Sequence, residues 1–92
     1  MLTKKLELTD EVIGAINGEL AYQASLHDRG RADTTDHGVA GQLVTLNVYA
    51  DEANRAWVRN NNNGPALDAL RKVAAIAIRA LILYGCPQRE IT

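Results

Sequence analysis

The chain contains one cysteine, Cys86, among its 92 residues. No internal disulfide can form, and a cysteine-rich zinc site is excluded. Proline occurs twice and phenylalanine is absent, so the aromatic complement is Trp57 with Tyr22, Tyr49 and Tyr84. No apolar run approaches the roughly 18 residues of a membrane-spanning helix. The opening Met1–Leu8 stretch holds two lysines but no signal-peptide apolar core. Neither charge sign is in excess: ten Lys and Arg stand against eleven Asp and Glu, a net −1. Without a basic surplus, general nucleic-acid binding is not expected, and neither is attachment to an anionic membrane. The expected location is the cytoplasm.

What is abundant is small and aliphatic. Hydrophobic residues make up 47% of the chain, mostly Ala, Leu, Val and Ile. Alanine has the best helix propensity and lets helices approach closely. A chain this short hides only about 60–65% of its unfolded surface, and its core alone contributes a few kcal/mol at most. The expected fold is all-α: one domain over residues 1–92, an antiparallel three-helix protomer completed by homo-oligomerisation.

Capping signals place the helices at about 9–29, 36–59 and 65–84, after an arm over residues 1–7. Thr9 is a natural N-cap, and Asp10 and Glu11 favour the positive end of the helix dipole. Gly30 suits the C-cap. Gly14 and Gly18 each cost up to about 1 kcal/mol relative to Ala, unless they permit close helix approach. Thr34, Thr35 and Asp36 offer caps for the second helix, and the Asn60–Asn63 run favours a turn. Pro65 suits a first helical position, while Gly85 and Pro87 stop the third helix.

At 100° per residue the helix faces can be sorted. Asp68, Lys72 and Arg79 form a narrow polar stripe on the third helix, with Arg71 at its edge. The rest is apolar, so this helix should be covered on more than one side, by its own chain and by a second copy. Asp68 and Lys72, four apart, are expected to form a weak surface pair. In the second helix Val39, Leu43, Leu46, Ala50, Ala53 and Trp57 share a face, and Val44 and Val48 add another strip. Trp57 is read as a core anchor, with an interface anchor as the alternative. On the first helix Glu19, Gln23 and His27 fall at the edge of the apolar arc of Val12, Ile13, Ile16, Leu20 and Ala24. They either line a pocket between helices or sit in water at the helix end, the reading preferred here.

Arg29 and Arg31 lie in a short charged loop before His37. Arginine forks beside a helix N-terminus suit a phosphate, although a solvated loop has the same composition. Metal ligands would have to come from Glu19, Asp51, Glu52 and Asp68. No helix carries a Glu-x-x-His or His-x-x-x-His pair, so no metal is assigned. No nucleophile–base pair is apparent, and Cys86 at a helix C-terminus is poorly placed to be activated.

The segments His37-Gly-Val-Ala-Gly-Gln-Leu43, Tyr49-Ala-Asp-Glu-Ala53, Ala66-Leu-Asp-Ala-Leu-Arg-Lys-Val-Ala-Ala75 and Tyr84-Gly-Cys-Pro-Gln-Arg-Glu90, with Glu19, Tyr22 and Gln23, resemble a group of small helical bacteriophage and prophage proteins of undefined function. That group is in turn distantly similar to MazG-like all-α nucleoside triphosphate pyrophosphohydrolases. The resemblance implies a bacterial or infected-cell setting and a helical oligomer. The chain lacks the Glu-Glu-x-x-Glu motif that holds magnesium in those enzymes. The expected function is therefore binding of a nucleotide or small phosphorylated ligand without turnover, through Glu19, Gln23, His27, Arg29, Arg31 and His37. One alternative is a non-enzymatic protein acting on a host or phage partner. Another is a MazG-like pyrophosphohydrolase with a divergent site, the one case requiring magnesium; otherwise no cofactor is expected.

Overall fold

A computed structural model describes residues 6–28 and 38–90, with the backbone alone described at 27 and 28. Three helices form: α1 (Asp10–Asp28), α2 (Gly38–Asn60) and α3 (Asn63–Tyr84). The start of α1, the end of α2 and both ends of α3 have a local cause. The Thr9 hydroxyl accepts from Val12 N–H at 3.2 Å, so Thr9 caps α1. At the end of α2, Asn61 takes φ 50° and donates its N–H to the Trp57 carbonyl at 2.8 Å. Asparagine tolerates this left-handed closure. Asn62 then caps α3, its Oδ1 accepting from Gly64 N–H at 3.0 Å. The third helix thus begins two residues before the expected Pro65, because an asparagine side chain supplies the cap. Gly85, at φ 115°, closes α3 by donating to the Leu81 carbonyl at 3.0 Å. The loop caps proposed at Gly30, Thr34, Thr35 and Asp36 lie outside the described residues.

α3 packs against both α1 and α2, whereas α1 and α2 do not pack on each other among the described residues. The chain runs up, down and up again. Arg79 and Lys72 of α3 meet Gln42 and Tyr49 of α2 in reverse order, while Glu19 and Gln23 of α1 meet Arg71 and Arg79 in the same order. The result is flat, measuring 44 × 42 × 23 Å. Its radius of gyration is 14.9 Å, against about 12 Å for a compact domain of this length. The chain exposes 7505 Å², where a folded monomer of the same mass exposes about 5,200 Å².

The buried apolar set among the described residues is Ala53, Ala69, Ala75 and Ile76. Small side chains let α2 and α3 approach, but they bury little area. Trp57, read above as a core anchor, is 46% exposed at the edge of α2. It lies with Val39 and Leu43 at the exposed edge of a face whose centre, at Ala53, is buried. Gly14 and Gly18 do not serve close approach either: a Cβ built at each meets nothing within 4 Å.

Candidate functional site

The most organised polar feature lies where α3 meets its two neighbours. Glu19, on the inward face of α1, is 7% exposed and is the buried charged residue among those described. A carboxylate there is costly unless it is paired and hydrogen-bonded. It accepts from Arg71 Nε at 3.0 Å and from Gln23 Nε2 at 3.3 Å. Arg71 also donates from Nη1 to Asp68 at 2.6 Å. The hydrogen bonds to Glu19, and then to Asp68, raise the Arg71 pKa above its already very high ordinary value.

One turn further along α1, the Gln23 carbonyl accepts from Arg79 Nη1 at 3.2 Å. Arg79 also donates from Nε and Nη2 to Gln42 Oε1 of α2, at 3.2 and 3.0 Å. Arg79 therefore joins α1 to α2 across α3. The Lys72 ammonium lies over the Tyr49 ring, 5.9 Å from its centroid. The polar stripe of α3 thus faces the angle between α1 and α2, forming a clasp. No buried side-chain nitrogen or oxygen among the described residues is left without a partner.

This geometry alters several expectations. Glu19 and Gln23 do not sit in water at a helix end; they are paired inward. Asp68 does not pair with Lys72, because the Arg71 fork is within reach and itself holds Glu19. Arg71, Arg79 and Gln42 were not among the expected site residues. The signal that could have found them is the Glu19/Gln23 pair itself: a carboxylate and an amide on an inward face require donors on the facing helix, and α3 carries two arginines eight apart. The His27 side chain, Arg29, Arg31 and His37 lie outside the described residues.

Other chemistry is sparse among the described residues. Asp51 pairs with Arg55 at 2.9 Å on the exposed side of α2, and no three potential ligands converge on a metal position. A shallow depression beside Asn54, Arg55, Val58 and Arg59 is lined by α2 alone. No helix is long and apolar enough to cross a membrane.

Much of the described surface is apolar. Val39, Leu43 and Trp57 line one flank of α2, and Val44 and Val48 the other; all are exposed. On α3, Leu67, Leu70 and Leu81 are 59, 49 and 42% exposed. By helical position they share the side of α3 away from the buried Ala69, Ala75 and Ile76. Comparison with known protein families, with characterised proteins and with solved structures finds no match.

Proposed function

We propose that this chain is a non-catalytic interaction protein that works as a homo-oligomer, its open apolar faces covered by further copies. The observation that carries this reading is the ratio of what is hidden to what is not. Ile76 is the one large side chain below 2% exposure among the described residues, while seventeen large hydrophobics are exposed. A fully buried aliphatic side chain contributes about 1.5–3 kcal/mol, so the described core is too small to hold three helices alone. Exposed apolar area on this scale marks an interaction surface. Sedimentation or light scattering at micromolar concentration should give an integral multiple of the 10.0 kDa chain mass. A stable, folded monomer would overturn the proposal.

A second reading, binding of a nucleotide or small phosphorylated ligand, is favoured by the charge left in the clasp. Lys72 sits over a neutral ring and Arg79 holds two neutral amides. Neither meets a carboxylate among the described residues, and both are half-buried, so an anion would gain from both. Calorimetry with linear and cyclic nucleotides tests it. Saturable heat that is lost on Arg79→Ala supports a ligand, and no heat from any nucleotide removes this reading. The hydrolase alternative requires pyrophosphate release with magnesium, abolished in Glu19→Gln.

A further inference from the structure

We infer that the outer face of α3 pairs with the same face of a second copy, antiparallel and about a two-fold axis. The inference rests on the assembly reading and specifies its contact. By helical position Leu67, Leu70, Ala74, Ala77, Leu81 and Tyr84 share the side of α3 away from the buried Ala69, Ala75 and Ile76; the leucines and Tyr84 are exposed and the two alanines half-buried. Their spacings alternate three and four, which is the a/d pattern of a helix-pairing seam. None of the six is charged. The Arg71 fork at the border is held aside by Glu19 and Asp68.

The seam reads the same in both directions by size: two large residues, two alanines, two large residues. Turned about a point midway between Ala74 and Ala77, Leu67 faces Tyr84, Leu70 faces Leu81 and Ala74 faces Ala77. A two-fold contact demands this self-complementarity. The central alanines allow the axes to approach to about 8 Å, and antiparallel dipoles attract. From the exposures of Leu67, Leu70, Leu81 and Tyr84 and the half-buried Ala74 and Ala77, the seam offers roughly 350–430 Å² per chain, and a pair hides about 700–850 Å², the size of a weak contact that further copies would reinforce. The α2 flanks stay free for other copies.

The test uses full-length chains carrying Cys86→Ser. Leu70→Cys and Leu81→Cys chains are co-expressed, purified together and oxidised. Antiparallel pairing gives the mixed 70–81 disulfide and neither like-with-like product, because positions 70 and 70 of the pair lie about 16 Å apart along the axis. Disulfides joining 70 to 70 and 81 to 81 would overturn the antiparallel arrangement. A second arm places Lys at both Leu70 and Leu81, which are exposed in the single chain. Helicity should be kept while the concentration for half-assembly rises about a hundredfold or more. Val44→Lys with Val48→Lys should leave the 70–81 cross-link intact. If the parent chain assembles but no 70–81 disulfide forms and the lysine variant stays assembled, the seam is wrong and the assembly reading stands. If the parent chain is monomeric, both fall.

Discussion

Replacing Glu19 with alanine removes the acceptor at the centre of the clasp. Glu19 takes one charge-assisted hydrogen bond from Arg71 and one weaker bond from Gln23. A hydrogen bond to a charged group contributes about 1.5–3 kcal/mol. Breaking a fully buried ion pair costs about 3–5 kcal/mol, but that range is too high here. The Arg71 side chain is 37% exposed and keeps Asp68, so solvent and a second carboxylate both relieve it. The expected loss is about 2 kcal/mol, with Glu19→Gln milder because its carbonyl still accepts. At a urea slope of about 1 kcal/mol per molar for a small protein, the midpoint should fall by roughly 2 M, measured at one protein concentration because assembly shifts it. The decisive quantity is the coupling in a double-mutant cycle with Arg71→Ala, expected at about 1–2 kcal/mol. The exposed Asp68–Arg71 pair, by the same cycle, should couple by no more than about 0.5 kcal/mol. Equal couplings, or one below about 0.5 kcal/mol for Glu19, would refute the clasp as the link between α1 and α3. Since the Arg71 pKa is raised, its contribution is complete at any pH below its ordinary value and is lost only above it. No change from this group is expected between about pH 6 and 10.

Gly14→Ala and Gly18→Ala should each stabilise α1 by about 0.5–1 kcal/mol, since both point into open space and alanine is the better helix former; a thermal midpoint that falls would show that one of them is needed for close contact. Arg79→Ala should loosen α1 more than α3, because Arg79 joins Gln23 to Gln42 where α1 and α2 do not otherwise pack among the described residues. Hydrogen exchange should then quicken across Ile16–Gln23 while Ala75 and Ile76 stay protected; uniform quickening would contradict this role.

The helical content was legible residue by residue. Thr9, the asparagine turn and Gly85 act through neighbours within a few positions, so local chemistry is sufficient to place those ends. The start of α3 falls two residues before Pro65 because Asn62, within a run read only as a turn, caps it, and only geometry shows which asparagine does so. The rotation of α3 was harder to read. An apolar arc covering more than half a helix leaves many orientations with nearly equal burial, so periodicity does not select one. The selection came from Glu19, whose carboxylate on an inward face needed a cation across from it.

The amino-acid order alone settled three helices, a small aliphatic interior and an excess of apolar surface, since propensity, capping and composition are properties of short stretches. Tertiary packing decided which side of α3 meets its own chain: the charged stripe turned inward to satisfy Glu19, Gln23 and Gln42. That choice left Leu67, Leu70 and Leu81 facing out, because a helix that turns its few polar groups toward its neighbours must present the opposite side to whatever lies beyond.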